Sequence, residues 1–174
     1  MVDDGIDGRQ DLQGEDGRHG SGFPNWLGIV VFGAIVALGL SGWMGGGPSP
    51  ERLVRTTAAD IRVKTPHRIR NGNLFETRII IEAKDDIAKP VLVVSQDLWR
   101  DITINSFYPG AEEEATKDRF RLFRYPPMKV GDRLDIQIDG QVNPPLIGRN
   151  KGVIALRDGE RNLAELPIGL QVLP

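Results

Sequence analysis

The side chains in this chain that could do chemistry are carboxylates. Asp85-Asp86, Glu112-Glu113-Glu114 and Asp139 are the acids that folding could bring together. A pair of them would support general acid–base hydrolysis, one carboxyl held protonated while the other takes a proton from water. Oxygen clusters also suit calcium, but the ordered D-x-D-x-D spacing of a calcium loop is absent. The chain has two histidines, His19 and His67, and no cysteine, so no His/Cys zinc set can form. It contains no H-E-x-x-H, no G-x-S-x-G elbow and no Walker loop. The acids read first as solvated loop residues. The chain is accordingly expected to be no enzyme and to hold no cofactor or metal, with a ligand-binding or hydrolytic accessory domain using these loop carboxylates as the alternative.

The elements that would position such residues begin with a long uncharged stretch. Residues 20–50 hold no Asp, Glu, Lys or Arg, and 26–45 supply the roughly 20 apolar residues that a bilayer core of about 30 Å requires. Trp26 and Trp43 bracket this segment at a helical separation of about 26 Å, the spacing of two interfacial aromatic belts. A cleaved signal peptide would have a basic leader and small residues before the cut. Here six acids and two arginines precede the apolar run, which favours an uncleaved single-pass transmembrane helix. Gly33, Ala37, Ser41 and Gly45 recur at every fourth position, a stripe of small residues along which another helix could pack closely. The expected partner is a membrane protein or a second copy of the same helix.

Residues 1–25 carry a net charge of −4 and few apolar side chains, so they are expected to be a disordered acidic tail. Residues 46–60 are a Gly/Pro linker followed by a short polar piece, with a helix as one option. Counting Lys and Arg near the span would put the C-terminus inside, but the rule weakens for a domain of this length. By analogy with other anchored sandwiches, the expectation is an inner-membrane protein whose C-terminal domain is periplasmic or extracellular. The net charge of −2 and the absence of a clustered basic stripe argue against nucleic acid.

From residue 61 onward the apolar period becomes two. Phe75, Thr77, Ile79, Ile81 and Ala83 alternate with Leu74, Glu76, Arg78, Ile80 and Glu82, a strand with one face on a core. Further strands are expected at 61–64, 90–95, 102–107, 119–125, 134–138 and in a terminal hairpin, 153–157 and 163–172. That hairpin turns at Asp158-Gly159, and Pro167 marks an edge or bulge. About seven short strands in 61–174 predict a mainly β domain, an immunoglobulin-like β-sandwich on a single N-terminal transmembrane helix. No disulfide can staple it, so the core must hold it together.

The run Pro90-Val-Leu-Val-Val-Ser-Gln-Asp-Leu-Trp99-Arg-Asp-Ile-Thr-Ile-Asn105, then Val130-Gly-Asp, Asp139-Gly-Gln-Val-Asn143-Pro-Pro145 and Leu166-Pro-Ile-Gly-Leu-Gln-Val-Leu-Pro174, resembles a family of uncharacterised bacterial single-pass membrane-anchored proteins with a small sandwich domain. The resemblance implies no activity. It implies association with multi-pass membrane proteins of the YetF-like kind.

Exposed aromatics and prolines beside strand ends often form a binding face. Trp99, Phe107, Tyr108, Pro144 and Pro145 are the candidates here, with partial burial expected for Trp99. The sequence thus points to a membrane-anchored, non-catalytic module that binds another membrane or envelope protein.

Overall fold

The computed structural model describes residues 25–41, 47 and 49–174. The expected acidic tail, Trp43 and Gly45 lie outside the described residues. Helix α1 (Asn25–Leu40) has 16 residues and no charge. At 1.5 Å per residue it is about 24 Å long. No helix among the described residues is long and apolar enough to cross a membrane. The expected span was 26–45, so the described helix is the shorter one. Its large apolar side chains, among them Trp26, Ile29, Phe32, Ile35 and Leu40, are exposed. A Cβ built at Gly33 would meet open space.

The β domain is a sandwich of two sheets. Its strands are β1 (Glu51–Arg55), β2 (Ala59–Lys64), β3 (Arg68–Arg70), β4 (Leu74–Ala83), β5 (Pro90–Ser95), β6 (Ile102–Tyr108), β7 (Glu113–Lys117), β8 (Phe120–Arg124), β9 (Arg133–Val142), β10 (Gly148–Asp158) and β11 (Arg161–Leu173). One sheet has the order β1-β2-β4-β9-β6 and the other β3-β11-β10-β5-β8-β7. All pairings are antiparallel except β3 with β11, which is parallel.

Alternation along each strand makes the core. Ile79 and Ile81 of β4 and Ile136 and Ile138 of β9 face Leu92, Val94, Phe123, Ile154 and Leu156 of the other sheet, all but fully buried. Each such side chain contributes about 1.5–3 kcal/mol of burial. The partners on β4 and β9, Glu76, Arg78 and Gln137, point outward as their period requires. Gly140 keeps the inward face of β9 open: a Cβ there would stand 2.8 Å from the Phe75 ring. Gly159 takes φ +59 in the expected Asp158-Gly159 turn. Pro167 sits on β11 beyond the three residues that β3 pairs, where its missing N–H is not needed.

The described strands number eleven against the about seven expected, and the expected segments account for eight of them. The three that the apolar pattern misses are β1, β3 and β7. All lie at sheet edges; β1 and β7 carry charged, mostly exposed side chains, and β3, with Ile69 buried between Arg68 and Arg70, is too short to show a period. Two local expectations change with them. Residues 51–55 form an edge strand rather than a helical piece. Glu113 and Glu114 belong to β7 and Asp139 to β9, so these three acids are strand residues and not loop residues.

Candidate functional site

Between the two sheets, at the side bounded by β6, the sandwich is open. A one-turn 3-10 helix, η1 (Gln96–Trp99), follows β5 and carries Trp99 to this opening. Its placement depends on β10. Asn150, 1% exposed, donates from Nδ2 to the carbonyls of Leu98 at 3.3 Å and Arg100 at 2.7 Å. Gly152 leaves room for the turn, since a Cβ there would lie 2.7 Å from Ser95 Cβ and 2.9 Å from Leu98 Cβ. The amide of Val153 donates to Ser95 Oγ at 2.8 Å.

So held, Trp99 meets Phe123 edge to face, with ring centroids 6.0 Å apart and an interplanar angle of 64°. Phe107 of β6 stacks on the same Phe123 at 4.4 Å and 21°. The Arg121 guanidinium lies 5.4 Å from the Trp99 centroid and 5.3 Å from that of Phe123, within cation–π range. Arg121 also forms an ion pair with Glu114 at 3.3 Å, so the rim is locally neutral. These groups, with Ile102 and Ile104 on the floor and Gln96 on the rim, line a cleft of about 420 Å³.

The bulge in β6 between Ile104 and Ser106 explains why three of its apolar residues share one face. Ile102, Ile104 and Phe107 oppose the inward Val142, Gly140 and Ile138 of β9, whereas Thr103, Ser106 and Tyr108 oppose the outward Gln141, Asp139 and Gln137. An unbulged strand would have sent Phe107 outward with Thr103.

Of the five aromatic and proline candidates, only Trp99 and Phe107 join this cleft. Trp99 is half-buried against the core. Tyr108, 75% exposed, stands on the opposite face of β6. Pro144 and Pro145 lie in the β9–β10 connection beside the start of β6, where Asn71 Nδ2 donates to the Pro144 carbonyl and Asn143 N to the Asp101 carbonyl. Five residues of strand, roughly 16 Å, separate that end of β6 from Phe107. The sequence reading missed Phe123 and Arg121. Their signal was the alternation of β8, on which Phe120 and Leu122 are conspicuous while the buried member is Phe123, 1% exposed.

Asp85, Asp86, Glu113, Glu114 and Asp139 are engaged with cations or donors, Asp85 accepting from Asp86 N at 2.9 Å. Asp86 accepts from Lys129 Nζ at 2.8 Å and from Val130 N at 3.2 Å, and these bonds hold its carboxyl below the usual range. Glu113 pairs with Arg124, and Asp139 accepts from Ser106 Oγ and Gln137. Among the described residues no three His, Asp or Glu side chains converge as metal ligands would. His67 is exposed in the β2–β3 connection and His19 lies outside the described residues.

A larger hollow of about 830 Å³ lies on the outer face of the six-stranded sheet. Val91, Phe120 and Leu122 form its floor, and four acids (Glu112, Glu113, Asp118, Glu160) balance four cations at its wall. That balance gives it no preference for a charged ligand. Tyr125 borders it, donating from Oη to the Pro109 carbonyl at 3.3 Å; burial, with the nearby Glu114 charge, pushes its phenol well above the ordinary value.

No family model and no curated protein matches the chain. Among solved structures it is similar to the GAE domain of GGA2p from Saccharomyces cerevisiae, 12% identical over 72% of this chain and 98% of that one, with a TM-score of 0.32. A TM-score that low carries no inference about fold or function.

Proposed function

We propose that this protein is a non-catalytic interaction module, an immunoglobulin-like sandwich held at a membrane by the apolar segment that contains α1, and that it binds another membrane or envelope protein through the Trp99–Phe107–Phe123 cleft. The observation that carries this reading is the cleft itself. Three aromatic rings and two isoleucines line an opening at an edge strand, with a paired, neutral rim. Aromatic clusters that present area at low entropy cost are where binding energy concentrates. The exposed, wholly uncharged α1 supports the membrane part, together with the resemblance to single-anchor bacterial proteins that implies a YetF-like multi-pass partner. The reading places the protein in the inner membrane with the sandwich outside the cytoplasm. The alternative, a ligand-binding or hydrolytic domain using carboxylates, is the weaker one because Asp86, Glu113 and Glu114 are each ion-paired to a cation.

A photo-crosslinking residue placed at Gln96, on the exposed rim of the cleft, tests this in intact cells. The expected result is a discrete adduct with a membrane or envelope protein, absent when the same residue is placed at Val130 in the exposed β8–β9 turn. Equal, diffuse labelling from both positions would overturn it.

A further inference from the structure

The outer face of the six-stranded sheet differs from one end of its strands to the other. Toward the Asp158-Gly159 turn it holds the charge-balanced hollow around Val91. Toward the opposite end it is basic. Gln171 of β11 pairs with Arg68 of β3 on one side and with Arg149 of β10 on the other, while Leu173 pairs with Arg70 and Gly169 with Lys151. Residues paired across a sheet share a face. Their chain neighbours Ile69, Asn150, Leu170 and Val172 are buried, so the four cations point outward. Strand spacing of about 4.8 Å puts Arg68 and Arg149 roughly 10 Å apart, about one Debye length, so the four act as one patch. No acid stands on β3, on β10 before Asp158, or on β11 after Glu165. Arg149 donates to the neutral Gln171 side chain at 3.2 Å. Because 68–70 and 149–151 are far apart in the chain, no basic run marks this cluster in the sequence.

Two exposed apolar tips flank the patch. Leu74, 69% exposed, follows the turn after β3, and Ile147, 61% exposed, immediately precedes β10. Asn71 Nδ2 donates to the Pro144 carbonyl and ties the two turns together, with Pro144 and Pro145 exposed in the second. The linker reaches the sandwich at this same end: Gly47 and Ser49 line a hollow with Arg68, Ile69 and Leu74. Glu76, from the other sheet, is the acid in that lining, set against Lys64 and Arg68. Residues 41–50 alone separate α1 from β1, a tether that reaches about 40 Å at most.

We infer that this end of the sandwich docks on a bilayer surface carrying anionic phospholipid, with Arg68, Arg70, Arg149 and Lys151 at the phosphates and Leu74 and Ile147 entering the headgroup layer. The inference depends on the reading of the apolar segment as a membrane anchor and names a second contact for it. Charge complementarity selects the occupant, and the tips narrow it to lipid. An acidic polymer would meet the cations and leave two large apolar side chains in water, whereas a membrane interface takes apolar groups below the phosphates and cations level with them. Attraction to a charged leaflet fades within a Debye length, and the short tether keeps the patch close enough to feel it.

The chain has no cysteine, so Ile147→Cys supplies a single thiol for an environment-sensitive nitrobenzoxadiazole dye. The full-length labelled chain would be reconstituted into vesicles of phosphatidylcholine alone, or of phosphatidylcholine mixed with phosphatidylglycerol. The expected result is emission several-fold stronger and shifted to the blue in the anionic vesicles, reversed by raised salt and lost when Arg149→Gln and Lys151→Gln are added. The same dye at Glu160→Cys, roughly 35 Å away along β10, should not respond. Equal emission from Ile147→Cys in both kinds of vesicle would overturn the inference. So would a response to soluble polyphosphate, with neutral vesicles, that matches the response to anionic ones. Flotation of the same samples separates the two readings. A chain that floats with both vesicles while the dye stays silent keeps the anchor and loses only the docked end; a chain that floats with neither loses both.

Discussion

At the scale of single residues, titration separates the groups that the fold has committed from those it leaves in water. The Tyr125 phenol is pushed upward, and burial is the larger cause. A phenol that stays protonated longer when folded contributes stability in full below its unfolded pKa of about 10. That contribution is lost as pH rises through the higher folded value. Lys129, held charged by Asp86, acts in the same alkaline direction, so the phenol must be isolated by subtraction. The prediction is that Tyr125→Phe differs from the parent chain by an amount constant below about pH 10 and shrinking above it, read by urea unfolding at stepped pH. A constant difference at every pH would mean that burial does not hold the phenol neutral. The carboxylates show how little of a site residue types alone reveal. Spacing gave no hint that Glu114 belongs to the aromatic cleft through Arg121, because that meeting depends on which strand each occupies.

At the scale of elements, η1 is the piece on which the cleft turns. Its four residues cannot hold themselves, and the buried amide of Asn150 does it from β10. Asn150→Ala leaves the Leu98 and Arg100 carbonyls without that donor, at a cost of about 1–3 kcal/mol. Trp99 should loosen with them. In a chain whose Trp26 and Trp43 are replaced by Phe, the Trp99 emission should shift to the red in the folded state. An unshifted spectrum at that lowered stability would place the control of η1 elsewhere. The strands tell how legibility divides. β4 and β9 were readable because one face of each is fully buried and period two shows through. β1 and β7 were not, because each owes its conformation to its neighbour and carries charges to both faces, and β3 was not because three residues are too few to show a period. The convergence of Trp99 and Phe107 on Phe123 was unreadable for a related reason. It needs the bulge in β6, a register shift set by pairing with β9 and not by composition.

At the scale of the whole molecule, sidedness decides which partners the sandwich can reach. A thiol reporter belongs at Glu160, exposed in the terminal hairpin, rather than at its neighbour Asp158, whose carboxylate accepts from Lys89 N and pairs with Arg161. Glu160→Cys should react with a membrane-impermeant maleimide in intact cells. Reaction only after permeabilisation would put the domain in the cytoplasm and turn the search to inner-face partners. The central claim of the proposed function is that β6 and its aromatic cleft are covered by a protein partner at a membrane. Hydrogen exchange measures that cover without any substitution. In native membranes, compared with the same full-length chain dispersed in detergent at low concentration, the amides of Ile102–Tyr108 should exchange more slowly while those of β1 and β7 do not change. Equally fast exchange of β6 in both states, or protection appearing instead at the outer hollow around Val91, would contradict it.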